Sequence, residues 1–214
     1  MKIDVLYEDN HVLIVNKPAG LLTQPAENVK QSLEAYAKAY IKEKYQKPGA
    51  VFLHAVHRLD KPVSGIVLFA KTSKALSRIN EMQREHKIKK WYMALVRGKI
   101  EKTKGTLQHT LAHESHRAKE ALTGKVSTLD YEVIEYKNGF SLLEITLETG
   151  RYHQIRAQLA AISHPIVGDA KYGSSYPFEK DAIALHHFKI ALEHPVTKAP
   201  LCIEALPHWG LFDR

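Results

Sequence analysis

The chain has 214 residues, enough to bury a sizeable core as one large domain or two small ones. Its 44% hydrophobic and 25% charged residues are ordinary for a soluble globular protein, and its net charge of +8 favours an anionic partner, most commonly nucleic acid. A single cysteine, Cys202, excludes an intramolecular disulfide and a cysteine-based zinc site. Its apolar neighbours mark it as a small core residue. The N-terminus, MKIDVLYEDNHVLIVNKP, carries acids and no long apolar stretch, so it does not read as a signal peptide. No run is long enough to cross a membrane, and the expected compartment is the cytoplasm.

In chain order, residues 5–7 and 11–16 read as short strands joined by a turn at Glu8-Asp9-Asn10. Pro18, Gly20 and Pro25 then mark a loop. The spacing of Leu33, Tyr36, Ala37, Tyr40 and Ile41 predicts a helix over 31–46, ended by Pro48-Gly49. Strands are expected at 52–57 and 65–71. A helix over 73–87 follows, capped by Thr72 or Ser73, with Leu76, Ile79 and Met82 on its buried face. Residues 90–96 read as the next strand. Residues 125–136 and 140–149 form a β-rich pair, and Lys137-Asn138-Gly139 between them is a hairpin signal. A helix over 153–163 and strands at 184–192 and 201–205 complete the series. No repeat, low-complexity segment or linker appears, so one domain over 1–214 is expected. Its fold class is α+β, a mixed, mainly antiparallel β-sheet with flanking helices.

Three stretches carry possible chemistry. In HAVHRLDKPVSGIVLFAK, residues 54–71, Arg58 stands two residues before Asp60 and Lys61 one after. A carboxylate near cations stays ionised and can act as a nucleophile or base at carbon. A surface turn at Asp-Lys-Pro accounts for the same residues. In GRYHQIRAQL, residues 150–159, Arg151 and Arg156 are five apart and would not share a helical face, so one can meet a site while the other meets solvent. In KIKKWYMALVRG, residues 87–98, three lysines precede Trp91 and Tyr92. Aromatics stack bases and cations meet phosphates, although a strand with aromatic core residues is the commoner arrangement.

Thirteen histidines, among them His109, His113, His116 and the adjacent His186-His187, raise the question of zinc. The HExxH pattern is absent, and surface or RNA-facing histidines account for them more simply. No GxxxxGK[ST] loop and no GxSxG elbow occur, which removes the sequence basis for ATP-driven chemistry and for a Ser-His-Asp hydrolase.

Taken together, HRLDKPVSG, WYMALVRG, TGRYHQIRAQLAAISHPIVGDAKYG, ALHHFKIALEHPVTKAP and NKPAGLLTQP resemble the motifs of the RluA-type pseudouridine synthase family, in the family's order. The resemblance spans the chain from about its first strand to its last. It implies that Asp60 is the catalytic residue, acting either on ribose carbon 1′ or by removing the 2′ proton. It also implies Arg156 as the cation paired with Asp60, and Tyr92 as the ring that stacks on the base. Arg58 would fill the gap left by a flipped uridine. His57, Arg151, His153, Lys89 and Lys90 complete the expected RNA-binding and base-flipping set, and HESHRAKEALTGK, residues 113–125, reads as a basic loop that grips RNA.

An isomerisation of this kind needs no metal, nucleotide or redox cofactor. The implied partner is tRNA, rRNA or both, with no membrane and no obligate protein partner. Too little chain precedes the Asp60 motif for a separate N-terminal RNA-binding domain. Two positions depart from the family pattern, Val63 and Tyr152, each where threonine is usual. The competing reading is a non-catalytic RNA-binding protein on the same fold. Intact Asp60, Tyr92 and Arg156 argue against it.

Overall fold

A computed structural model describes residues 1–210. They are built on a mixed, mostly antiparallel β-architecture with few helices, and fall into two compact units. The first unit comprises Met1–Ile88 and Phe188–Leu206; the second comprises Lys89–His187 and residues 207–210.

In the first unit, β1 (Asp4–Glu8) and β2 (Val12–Lys17) form an antiparallel hairpin. The Asp9 carboxylate closes its turn by accepting the His11 and Val12 N–H groups at 2.7 and 2.8 Å. Strand β2 pairs antiparallel with β4 (Ser64–Ala70), from Val12↔Ala70 to Lys17↔Gly65. β3 (His54–Ala55) adds a short rung to β4. The remaining strands of this unit are the end of β10 (Leu185–Glu193) and its antiparallel partner β11 (Pro200–Glu204).

Both faces of β2 and β4 are buried, which is why VLIV and IVLFA read as continuous apolar runs rather than alternating ones. Helix α1 (Leu33–Lys44) begins at Ser32, whose hydroxyl accepts the Ala35 N–H. Helix α2 (Ser73–Arg84) begins at Thr72, whose hydroxyl accepts the Ala75 N–H. Such caps satisfy amides that no helical carbonyl reaches. Ala75, Ile79 and Met82 of α2 pack on Val12, Ile14, Ile66 and Leu68, and burying Ile79 or Met82 contributes about 2 kcal/mol each.

The second unit holds β5 (Lys89–Arg97), β6 (Lys104–Glu114), β7 (Arg117–Glu120), β8 (Lys125–Lys137) and β9 (Phe140–Leu147), in the order β5-β9-β8-β6-β7. All four pairings along that order are antiparallel. The β8–β9 turn places Asn138 and Gly139 at φ 54° and 81°, as an Asn-Gly hairpin requires. Helix α3 (Gln154–Ala161) and a 3-10 turn (Ala170–Tyr172) pack on the sheet through Ala157 and Tyr172, which meet Leu111 and Ala118.

Three expectations are corrected. Residues 113–125 are not an open loop: β6 and β7 form a hairpin there, turning at Ser115 and His116, both at positive φ. Only Leu111 and Ala118 of LAHESHRAKE face inward, too few for the alternation to show. The strand expected over 52–57 is only two residues long, because the chain leaves the sheet to enter the Asp60 turn. Cys202 is exposed rather than in the core. Along β11 it faces away from the core that Leu201, Ile203 and Ala205 pack against. Among the described residues no helix is long and apolar enough to cross a membrane.

Candidate active site

Asp60 opens a tight turn in which its carbonyl accepts the Val63 N–H at 3.1 Å. The carboxylate-bearing residue is half-buried, between buried Leu59 and exposed Lys61. The segment after β2 fixes this turn from beneath. The Thr23 hydroxyl donates to the Leu59 carbonyl at 2.8 Å and accepts the Leu59 N–H at 3.0 Å. The Gly20 N–H donates to the Lys61 carbonyl at 2.8 Å. Lys17, fully buried at the end of β2, donates its ammonium to the carbonyls of Leu21, Pro18 and Lys61 at 2.7, 3.0 and 3.3 Å. Burial pulls the Lys17 pKa down to about 7, against the pull of the Asp60 charge, which raises it. Three carbonyls match the three N–H donors of an ammonium, so the geometry favours the charged form.

On the same segment, Arg58 is exposed. The His57 ring is half-buried, and its Nε2 accepts the Leu68 N–H at 3.2 Å. Val63, where threonine is usual in the family pattern, is buried.

In the second unit, Tyr92 lies on β5 opposite Ile145 of β9 and is 7% exposed. Its ring stacks on buried His187 at 4.6 Å and 19°. Two residues earlier, Lys90 is half-buried and desolvation lowers its pKa. Lys89 is exposed, 3.8 Å from the Glu148 carboxylate.

Arg151 is exposed just before α3, whereas Arg156 is buried within it. The Arg156 guanidinium forms a bidentate pair with buried Asp169, through Nε at 2.6 Å and Nη2 at 2.8 Å. Its Nη1 lies 3.1 Å from Nε2 of buried His153, and its plane sits 5.0 Å from the Tyr172 ring centre. Gln154 fixes the entry to α3, accepting from Thr149 and the Arg151 N–H and donating to the Thr128 carbonyl. A hollow of about 410 Å³ elsewhere in this unit, lined by Lys104, Thr106, Asp130, Glu132, Glu144 and Thr146, holds none of these residues.

Sequence reasoning gave no role to Lys17, Gly20, Thr23, Gln154, Asp169 or Tyr172. A lysine ending the apolar run VLIVNK was the available signal for Lys17. Nothing local links Asp169 to Arg156, since the pair forms only when the turn after α3 folds back.

The sequence profile described as RNA pseudouridylate synthase matches residues 11–161. An uncharacterised RNA pseudouridine synthase, YhcT, of Bacillus subtilis is 36% identical over 210 residues, covering 95% of this chain and 68% of the relative. The dual-specificity RNA pseudouridine synthase RluA of Pasteurella multocida is 34% identical, over 96% of this chain and 93% of the relative. In fold, human RNA pseudouridylate synthase domain containing 1 superposes with a TM-score of 0.75 at 24% identity, over 96% of this chain and 84% of that one. The chain therefore belongs to the RNA pseudouridylate synthase family, in its RluA-type branch, and is an isomerase.

Proposed function

We propose that this isomerase converts specific uridines of tRNA, rRNA or both to pseudouridine, with Asp60 as the reacting carboxylate. The observation that carries this reading is the double latch on the Asp60 turn. Thr23 holds both backbone polar groups of Leu59 while Gly20 and Lys17 hold the carbonyl of Lys61. A surface turn has no need of a buried threonine and a buried lysine beneath it. A carboxylate that must meet one ribose carbon at one angle does.

In the proposed reaction the bond between uracil N1 and ribose C1′ breaks, with Asp60 acting either on C1′ or on the 2′ proton. The base turns, C5 bonds to C1′, and the C5 proton leaves as N1 gains one. The atoms balance with no external oxidant or reductant. The uridine must leave its stack to reach the carboxylate, and Arg58 takes the vacated place. Tyr92 stacks on the base. Arg156 is the cation that keeps Asp60 ionised. His57, Lys89, Lys90, Arg151 and the β6–β7 hairpin position the RNA.

The test is tritium release from RNA labelled at uracil C5, offered as unmodified tRNA and rRNA transcripts to wild type and Asp60→Asn. The dual-specificity name of the Pasteurella relative is the reason to run both RNA classes side by side. Wild type is expected to release tritium from at least one class. Asp60→Asn should release none while binding the same RNA with unchanged affinity. Wild-type turnover by the Asn variant would remove Asp60 from the reaction.

A further inference from the structure

We infer that His153 is a positioning residue for Arg156, working as the neutral Nδ1–H tautomer that the Arg156 guanidinium selects. This rests on the reading of Arg156 as the cation of the reaction. A guanidinium only donates hydrogen bonds, so the 3.1 Å approach of Arg156 Nη1 to His153 Nε2 requires a lone pair on Nε2. The ring hydrogen then resides on Nδ1. That nitrogen lies 2.9 Å from the Tyr172 hydroxyl oxygen, which accepts it. The same oxygen accepts the Ala118 N–H of β7 at 2.8 Å, so the hairpin holds the phenol in place beside the ring.

The ring cannot turn to offer another edge. Tyr152 stacks on it at 3.8 Å and 17°, and the Tyr172 ring meets it edge-on at 5.6 Å. The residue is 8% exposed. His153 also precedes α3 at the N-cap position with φ 50° and makes no side-chain cap bond. Ser32 and Thr72 spend their side chains on that task. The imidazole of His153 is spent on the arginine instead.

The geometry shows what this contact adds. Asp169 grips one edge of the guanidinium, and a pair held at one edge can still tilt about that edge. A contact from His153 on Nη1, with the Tyr172 ring below, fixes the tilt. The remaining N–H groups then keep one direction. Charged and polar groups around the ring include Arg156, Tyr172 and Tyr152, with Asp169 beyond the arginine. His113 meets the far ring of Tyr152.

Two readouts test the inference on the full chain. The first is long-range proton–nitrogen NMR on protein labelled at histidine, with His153 assigned by its loss in His153→Gln. Wild type and Tyr172→Phe are both expected to show the Nδ1–H form at neutral pH, because Arg156 still requires the Nε2 lone pair. The second is kinetics. Loss of one hydrogen bond to a charged group predicts that His153→Phe lowers kcat about tenfold, with KM and RNA affinity changed less than about twofold. His153→Gln, whose Oε1 can accept from Nη1, should recover most of kcat.

An imidazolium or an Nε2–H ring in wild type would overturn the inference. So would wild-type kcat in His153→Phe, or equal losses in the Phe and Gln variants. Arg156→Ala separates the two levels: if it keeps wild-type turnover, the reading of Arg156 fails, whereas the tautomer is decided by NMR alone.

Discussion

Lys17 and Glu8, at the two edges of the first hairpin, are both buried charges, and their surroundings treat them differently. Around Lys17 the partners are neutral carbonyls, so burial prevails and its pKa falls to about 7. Around the Glu8 carboxylate, which is 5% exposed, burial raises the pKa, but Lys44, Lys71, Tyr45 and Tyr40 all donate to it and lower it further. The net value is about 2, below the ordinary 4.5. A carboxylate with a depressed folded pKa contributes stability that is present above about 4.5 and lost as pH falls through about 2. The lowered pKa means that the ionised carboxylate stabilises the folded state at neutral pH. Glu8→Gln is therefore expected to unfold at lower urea than wild type at pH 7, and the gap between the two should close as the pH is lowered from about 4.5 toward about 2. A gap that stayed constant over that range would show that the charge of Glu8 is not what joins α1 to β1 and β4.

Elements place the Asp60 turn more than single residues do. The loop from Lys17 to Thr23 and the turn at Asp60 are far apart in sequence, yet their backbones are bonded through Thr23, Gly20 and Lys17. Thr23→Val keeps the buried volume and removes both latches on Leu59. The expected cost is about 2 kcal/mol for two buried backbone groups left with poorer partners. Tritium release at saturating RNA should fall about tenfold, with RNA affinity unchanged, because a displaced carboxylate costs turnover rather than docking. Unchanged kcat, with the expected loss of stability, would reduce Thr23 to a core residue.

The same contacts show what could be read in advance. The strands at β2, β4, β5, β8 and β9 and the helices α1 and α2 follow from apolar period, caps and the Asn-Gly turn, all local signals. One of Arg151 and Arg156 is exposed and the other buried, but not through helical spacing: Arg151 precedes α3, and the helix buries residues 154–159 on all sides. The latch, the Arg156–Asp169 pair and the Tyr172 hydroxyl are long-range, and no local pattern encodes them. The β6–β7 hairpin was hidden because Leu111 and Ala118 are almost its only inward residues, and Cys202 was misplaced because composition around a residue does not say which face of an edge strand it takes.

Across the whole molecule the net charge of +8 is not spread as free cations. Lys104, Lys119, Lys87 and Lys198 each lie within 3 Å of a glutamate carboxylate. Exposed pairs of this kind contribute at most about 1 kcal/mol, and a phosphate must compete with the carboxylate already there. On the β6–β7 hairpin, Lys119 is paired with Glu114 at 2.6 Å, whereas no carboxylate among the described residues pairs with Arg117, which is exposed. If this hairpin meets the RNA backbone, the two cations are unequal. RNA affinity should fall as salt rises, linearly in the logarithms, with a slope set by the number of phosphates neutralised. Arg117→Ala should reduce that slope by about one, and Lys119→Ala by less, because loss of Lys119 also frees a carboxylate that the RNA must then avoid. Filter binding over a salt series, with kcat measured alongside, checks this. Both variants are expected to keep wild-type kcat at saturating RNA. A slope untouched by Arg117→Ala would move the RNA off this hairpin. A fall in kcat with the slope intact would instead assign the hairpin to holding Tyr172, through the Ala118 amide, rather than to binding.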